Sequence, residues 1–168
     1  MTACVNKLGV FFLAISAYIR SIREKIGAAP LIVPSVTALV FDEANRVLLH
    51  RATDDGLWHT VGGAIDPDEQ PAHAAIREAY EETGLTIHPE DVTGVYTRPP
   101  AIYPNGDICH YIAIAFRCKI VGGSLEIRDD ESLELRFFAQ HELPELSEID
   151  RLSVEHGFDY AGAAYFEA

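Results

Sequence analysis

Residues 63–85 read GAIDPDEQPAHAAIREAYEETGL, and this stretch carries the strongest structural signal in the chain. Pro71 suits the first turn of a helix and Gly84 suits the position just after its end, so the stretch predicts a helix over residues 71–83. An α-helix turns by about 100° per residue. On that wheel, one face is expected to pack on the core, and its members are Ala72, Ile76, Ala79 and Thr83.

A second face of the same helix carries three glutamates, Glu78, Glu81 and Glu82, at spacings i, i+3 and i+4. Carboxylates at these spacings repel one another, so the cluster is expected to hold a hard cation such as Mg²⁺, which prefers oxygen ligands. Gly63 permits a close backbone approach, and its carbonyl oxygen could serve as a further ligand. Without their flanks, the glutamates are equally consistent with a solvated face of a charged helix.

Strand patterns dominate on both sides of this helix and predict a mixed α/β fold. The predicted strands are residues 31–41, 46–51, 92–98, 110–120 and 133–138. Turns are expected at residues 42–45, 104–107 and 121–124, and a closing helix is expected at residues 147–157.

An amphipathic helix is predicted within the first 27 residues. Its apolar positions are Leu8, Phe11, Phe12, Ile15, Tyr18, Ile19, Ile22 and Ile26, and its far, polar side includes Arg20, Arg23 and Glu24. A signal peptide or a membrane-surface role is the alternative, although the run is too short for a transmembrane span and no clean cleavage site follows it. An added apolar face needs a partner surface, so the helix either docks on its own domain or contributes to a homodimer.

The 168 residues suffice for one domain, and the formal net charge is −13. This charge argues against nucleic acid and anionic membranes as partners, because both favour Lys and Arg. An acidic protein can still bind phosphates when a divalent cation bridges the two negative groups. The three cysteines, Cys4, Cys109 and Cys118, show no metal-ligand spacing, which predicts a reduced, cytoplasmic chain.

The stretch from Gly63 resembles the Nudix box, G-x5-E-x7-R-E-U-x-E-E-x-G-U, in which U is a bulky or aliphatic residue. The matching positions are Gly63, Glu69, Arg77, Glu78, Glu81, Glu82, Gly84 and Leu85, with the small residue Ala79 at the first U. The resemblance extends over residues 31–146 and implies a Nudix-like α/β/α sandwich with a central mixed sheet. We therefore expect an N-terminal helix in residues 1–29, a Nudix domain in residues 30–146, and a C-terminal helix and tail in residues 147–168.

The approach to the box departs from the family pattern W-x-L-P-G-G. Residues 58–63 read WHTVGG, so Thr60 replaces the leucine and Val61 replaces the proline. Loss of the proline frees the backbone before the box. This departure puts the rigidity of the loop in question, although it removes none of the expected metal ligands.

The resemblance implies Mg²⁺-dependent hydrolysis, with Mn²⁺ as the alternative metal, of the pyrophosphate bond in a nucleoside diphosphate linked to another moiety. It implies Glu78, Glu81, Glu82 and the carbonyl of Gly63 as metal ligands, and Glu69 and Arg77 as groups that support them. For the general base we favour Glu131, in an acidic loop outside the box, with Glu82 or Glu78 as the alternatives.

Substrate contacts are expected outside the box, with ADP-ribose as the best guess. Pro100, in the double proline after the box, resembles a feature of ADP-ribose pyrophosphatases, whereas Tyr103 resembles the tyrosine of diadenosine polyphosphate hydrolases. Tyr103 and Trp58 could stack on a base, although a hairpin and a core position explain them equally well. The histidines show no ligand spacing and receive no role. A house-cleaning hydrolase of nucleoside triphosphates, a non-catalytic nucleotide-binding module and a structural protein with an acidic helix are the alternatives.

Overall fold

A computed structural model describes residues 16–103 and 105–168 of the chain. In chain order the helices and strands are α1 (Ala17–Ile26), β1 (Leu31–Phe41), β2 (Val47–Ala52), β3 (Trp58–Thr60), α2 (Pro71–Thr83), β4 (Leu85–Thr97), β5 (Ala101–Ile102), β6 (Ile108–Gly123), β7 (Ser132–Phe138) and α3 (Glu148–Phe158). A short 3-10 helix, Gln140–Glu142, lies between β7 and α3. Five residues named in the sequence predictions lie outside the described residues, namely Cys4, Leu8, Phe11, Phe12 and Ile15.

The strands of the described residues form a mixed sheet in the order β3-β2-β1-β6-β4, with β5 paired to β6 and β7 paired to β2. β1 runs parallel to β6 from the pair Leu31 and Cys109 to the pair Phe41 and Lys119. The other strand pairs are antiparallel. The predicted mixed α/β fold with a central mixed sheet is therefore confirmed.

Hydrophobic clusters cover both faces of the sheet, because successive side chains of β1 point to opposite faces. Ala38 and Val40 pack in the cluster that contains Ala79 of α2. Leu39, between them in sequence, packs in the cluster that contains Val154 of α3. All five side chains are fully buried. The sheet thus lies between two helices, and the residues that α2 turns away from the core become available for a site.

β4 and β6 are longer than the sequence pattern predicts. The turn predicted at residues 121–124 is wrong, because β6 continues to Gly123, which pairs with Leu85. β4 begins at Leu85, directly after Gly84, rather than at Val92. Its pairing with β6 contains three register shifts, and such shifts break the two-residue period on which a strand prediction depends.

The predicted N-terminal helix is confirmed over Ala17–Ile26, but the expectation that Arg23 lies on its polar outer side is wrong. The Arg23 guanidinium donates hydrogen bonds to the carbonyl oxygens of Gly27, Ala29 and Ile108 at 3.1, 2.7 and 2.8 Å. Only 10% of its side chain is exposed. An arginine near a helix C-terminus finds carbonyl oxygens that no backbone N–H satisfies, so Arg23 anchors α1 to the start of β6.

On the apolar side of α1, Tyr18 and Ile26 are exposed, whereas Ile19 and Ile22 are partly buried. The homodimer contact stays a prediction. No helix in the described part of the chain is long and apolar enough to cross a membrane.

Candidate active site

The helix predicted over residues 71–83 is confirmed at both ends. Pro71 occupies its first turn, and Gly84 ends it in the left-handed conformation with φ of 71°. The N–H of Gly84 donates to the carbonyl of Tyr80 at 3.0 Å, which satisfies one of the last carbonyls of the helix. Of the predicted core face, Ala79 and Thr83 are fully buried, while Ala72 and Ile76 pack partly buried against the same cluster.

Arg77 fastens the loop before α2 to the helix. Its Nε and Nη2 atoms donate to the two carboxylate oxygens of Glu69, each at 2.9 Å, and Nη2 also donates to the carbonyl of Ala64 at 3.0 Å. This hydrogen bonding lowers the pKa of the Glu69 carboxyl. Bidentate arginine–carboxylate pairs constrain both position and orientation, so the loop that begins at Gly63 is held against α2.

The three glutamates of α2 share one side of the helix but differ in exposure. The side chain of Glu81 is 57% exposed, that of Glu78 is 16% exposed, and Glu82 is buried. Nη1 of Arg77 donates to Glu78 at 2.7 Å and to Glu81 at 3.1 Å. Burial raises the pKa of the Glu78 carboxyl in spite of this pairing. Part of the positive charge that the cluster needs is therefore supplied by Arg77.

Glu82 is the buried member of the cluster and the least satisfied. Its Oε1 accepts a hydrogen bond from the N–H of Gly62 at 3.3 Å, whereas its buried Oε2 has no hydrogen-bond partner among the described residues. Burial, followed by the charge of Glu78, raises the pKa of Glu82 well above its usual value. A buried carboxylate oxygen without a partner is costly, so this atom marks a position where a positive group would be favoured.

Within residues 16–103 and 105–168, no three Asp, Glu, His or Cys side chains converge closely enough to hold a metal ion. The donor chemistry nevertheless fits a hard divalent cation. The Glu82 carboxylate has one unpartnered oxygen, and the Glu78 carboxylate lies so close to Gly63 that a Cβ there would overlap it. These donors are oxygens, which Mg²⁺ and Mn²⁺ prefer over thiols.

The segment from Val61 to Gly63 is hydrogen-bonded to β1 of the sheet. Val61 is fully buried, and its carbonyl accepts a hydrogen bond from the N–H of Ala38 at 2.8 Å. The carbonyl of Gly63, an expected metal ligand, accepts from the N–H of Val36 at 2.9 Å. A carbonyl oxygen has two lone pairs, so this bond leaves one for a cation.

Glu131 lies in the loop directly before β7. Its N–H donates to a carboxylate oxygen of Asp129 at 3.1 Å, and its carbonyl accepts from the N–H of Thr53 at 2.8 Å. Burial is the main cause of the raised pKa values of Glu78 and Glu82, and the charge of Glu131 is one of the smaller causes. The tertiary structure thus brings Glu131 into electrostatic range of the box, from a loop far away in sequence.

The three expected substrate contacts occupy different environments. Trp58 is partly buried and meets the ring of Phe138 edge-on, with centroids 4.9 Å apart, in the cluster on the α3 side. The half-buried Tyr103 has its hydroxyl 2.6 Å from that of Tyr111, and burial raises the pKa of Tyr103, with Glu131 among the smaller causes. Pro100 is exposed between β4 and β5. Tyr103 is therefore held in a hydroxyl pair with Tyr111, whereas Trp58 contributes to the core.

A buried carboxylate of α3 escaped the sequence analysis. Asp150 is 1% exposed and accepts hydrogen bonds from Thr60, Arg98 and Ser147 at 3.0, 2.8 and 2.7 Å, with Nδ1 of His59 at 3.4 Å. Burial alone would raise the pKa of Asp150, but the His59 contact and the Arg98 charge hold it well below its usual range. The same contact raises the pKa of His59. His59 and Asp150 are 91 residues apart, so no local spacing indicates the pair.

Comparisons with known proteins agree with the fold described above. The sequence pattern of the NUDIX domain matches residues 31–156. A "MutT-like protein" of Streptomyces ambofaciens is 32% identical over 140 residues, which cover 83% of this chain and 85% of that protein. An ADP-ribose pyrophosphatase of Methanocaldococcus jannaschii is 32% identical over 111 residues, 64% of this chain and 63% of that protein. The crystal structure of an ADP-ribose pyrophosphatase from Streptococcus suis superposes with a TM-score of 0.61 at 21% identity, covering 80% of this chain and 96% of that one.

Proposed function

Because this chain belongs to the Nudix hydrolase family, whose members act on pyrophosphate bonds, we propose that it hydrolyses a nucleoside diphosphate linked to another moiety, with ADP-ribose as the first substrate. Membership of the family makes the chain a hydrolase of pyrophosphate bonds, and a small nucleotide substrate is consistent with that membership. The proposal adds the dependence on Mg²⁺, the residues that bind it and the substrate.

The buried Glu82 carboxylate carries the proposal. Its Oε2 is buried without a hydrogen-bond partner in the described part of the chain, and the charge of Glu78 acts on the same carboxylate. Such an oxygen is unfavourable in an isolated protein and favourable beside a cation. A helix that had only to cover the sheet would gain stability from an apolar residue at this position. The arrangement therefore supports a site selected for binding positive charge.

Glu78, Glu81 and Glu82 would hold the Mg²⁺, or Mn²⁺ in its place, with the carbonyl of Gly63 as a further ligand. When bound, the cation would neutralise charge on the phosphates and favour ionisation of the attacking water. The net charge of −13 favours such a counter-charge, because the field of an acidic protein disfavours the approach of a pyrophosphate.

The residues of the chain then have separate tasks. Arg77 fixes the position of the loop relative to the glutamates through its bonds to Glu69 and Glu78. Glu131 accepts the proton of the attacking water as general base, which its fixed backbone and its electrostatic range to Glu78 support. Glu82 and Glu78 are the alternative bases. Their raised pKa values reflect burial, which a bound cation would oppose.

Substrate recognition rests on the surface beside the acidic loop. Tyr103 is half-buried, and the charge of Glu131 contributes to the rise in the pKa of its hydroxyl. The ring of Tyr103 could stack on a nucleobase while the phosphates reach the glutamates. Pro100 lies three positions earlier and is exposed, which would let it line the same surface. The relative from Methanocaldococcus jannaschii supports ADP-ribose, and nucleoside triphosphates are tested beside it as alternative substrates.

A Mg²⁺-dependent screen tests the proposal. Purified protein is incubated with ADP-ribose, dinucleotides, nucleotide sugars and nucleoside triphosphates, with and without chelator, and products are separated by chromatography. We expect AMP and ribose 5-phosphate from ADP-ribose. Glu82→Gln should lower kcat by at least about 100-fold, whereas the matched control Glu90→Gln, at an exposed ion pair with Lys119, should keep the wild-type rate.

Three outcomes would contradict the proposal at different levels. Release of pyrophosphate from a nucleoside triphosphate, with ADP-ribose inert, would replace the substrate but keep the site. Full activity in chelator would remove the role of the cation. Full activity of Glu82→Gln would show that the buried carboxylate has another purpose.

A further inference from the structure

The backbone that enters the box is closely fitted although it lacks the proline of the family pattern. Gly62 has φ of 152°, and a Cβ at this position would overlap the backbone carbonyl of Val36. Proline would restrict φ at the preceding position to about −65°, but Val61 stands there. The restraint that places Gly62 therefore comes from contacts with the rest of the fold, which include the bonds of Val61 and Gly63 to Ala38 and Val36 of β1.

Two buried carboxylates hold this short segment from two different helices. Asp150 of α3 accepts a hydrogen bond from the hydroxyl of Thr60 at 3.0 Å. Two residues later, Glu82 of α2 accepts a hydrogen bond from the N–H of Gly62 at 3.3 Å. Since α2 and α3 cover opposite faces of the sheet, the segment between the two anchors cannot shift towards either face without breaking one of them.

Asp150 is itself rigidly held. Arg98 and Ser147 donate to its two carboxylate oxygens at 2.8 and 2.7 Å, and His59 is within 3.4 Å of one of them. Its side chain is 1% exposed. An acceptor fixed by charge-assisted bonds in a buried setting imposes a defined geometry on each donor. The hydroxyl of Thr60 is thus bonded to a carboxylate whose position is fixed by its other partners.

We propose that the hydrogen bond between Thr60 and Asp150 positions the backbone at Gly62, and through it the Glu82 carboxylate, in place of the missing proline. Thr60 and Asp150 are positioning residues, since neither touches the glutamates. The effect on catalysis rests on the proposed function, whereas the effect on the backbone does not. Replacement of the hydroxyl by a methyl group should loosen the segment while it preserves the shape of the side chain.

Kinetics of four variants tests the catalytic part. Thr60→Val should lower kcat about tenfold, the effect of one lost positioning contact, with KM changed less than about twofold, and should raise the Mg²⁺ concentration for half-maximal rate. Thr60→Ser keeps the hydroxyl and should retain the wild-type rate. The double variant Thr60→Val, Val61→Pro should recover most of the loss, because proline restores the local restraint.

Thr93→Val is the matched control, because Thr93 is also buried and donates its hydroxyl to a backbone carbonyl, that of Ala115, at 3.3 Å. It should leave kcat unchanged. An equal loss of rate in Thr93→Val and Thr60→Val would mean that the loss comes from lower overall stability and would contradict a specific role for Thr60. If the Val61→Pro change restores no activity, the Thr60 contact does not take the role of the missing proline.

Amide hydrogen exchange separates this inference from the proposed function, because it needs no substrate. The peptide that contains Gly62 and Gly63 should exchange about tenfold faster in Thr60→Val than in Thr60→Ser or Thr93→Val. Equal exchange in all three variants would overturn the anchor whatever the activity. Faster exchange in Thr60→Val, in a protein that hydrolyses none of the substrates, would refute the proposed function and leave the anchor standing.

Discussion

Replacement of Glu82 by glutamine should stabilise the protein without metal and destabilise it, relative to wild type, when Mg²⁺ is bound. Without metal, the wild-type protein carries a buried carboxylate beside that of Glu78, and a buried charge without an opposite charge costs more than the about 1–3 kcal/mol of a neutral unsatisfied group. Glutamine removes the charge but keeps the shape and an acceptor for the N–H of Gly62. We therefore expect Glu82→Gln to be about 1 kcal/mol more stable than wild type in chelator, which corresponds to about 2–4 °C in Tm.

Saturating Mg²⁺ should produce the opposite order. A ligand at 100 times its Kd stabilises the folded state by about 2.7 kcal/mol, or about 5–10 °C in Tm for a chain of this size. The wild-type protein should show this increase, and Glu82→Gln should show only a small part of it. Differential scanning calorimetry in chelator and in Mg²⁺ measures both differences near neutral pH.

Glu90→Gln controls for loss of a glutamate charge, since Glu90 pairs with Lys119 at the surface and should behave as wild type. Refutation would consist of a Glu82→Gln protein that is less stable than wild type in chelator and keeps the full Mg²⁺-induced increase. That result would mean that Glu82 is satisfied in the folded protein and takes no part in binding the cation.

Three further predictions concern other contacts. The contact with buried Asp150 raises the pKa of His59 above 6.5, so protonation of His59 favours the folded state. The free energy of unfolding should therefore fall as pH rises through the folded-state pKa, and denaturant titrations should show a smaller fall in His59→Gln. Arg23→Ala should cost about 2–3 kcal/mol in urea unfolding, because charged hydrogen bonds at a mostly buried site are lost, whereas Lys25→Ala on the same helix should change stability by less than about 0.5 kcal/mol. Gly63→Ala should displace the glutamate carboxylate beneath it and raise the Mg²⁺ concentration for half-maximal rate about tenfold, with a Tm within about 2–4 °C of wild type; an unchanged Mg²⁺ requirement would contradict the proposed ligand arrangement.

The elements with strong local signals were predictable from the sequence. α2 has the predicted bounds because Pro71 and Gly84 act within one turn of the helix ends. β1 has the predicted bounds because apolar and β-branched residues extend over the whole strand and are interrupted only at Pro34 and Ser35. The extents of β4 and β6 were not predictable, because the register shifts in their pairing interrupt the two-residue period. Arg23 was misplaced for a related reason, since helical periodicity does not register carbonyl oxygens contributed by β6.

The burial of the glutamates shows the same division within the candidate site. The helical wheel places Glu78, Glu81 and Glu82 on one side, and this follows from spacing alone. Only the packing of α2 on the sheet makes Glu82 buried while Glu81 stays exposed. The pairing of Arg77 with two of the three likewise depends on rotamers that spacing does not specify.

By itself, the sequence determined the helix, the side that carries its glutamates and the family, because each depends on residues within a few turns of one another. The tertiary structure decided which glutamate oxygen is left without a partner, brought Glu131 into range of the box, and placed Asp150 beneath Thr60. These contacts join segments tens of residues apart, and their geometry is set by how two helices pack on opposite faces of a twisted sheet. No periodicity in the chain encodes that packing directly.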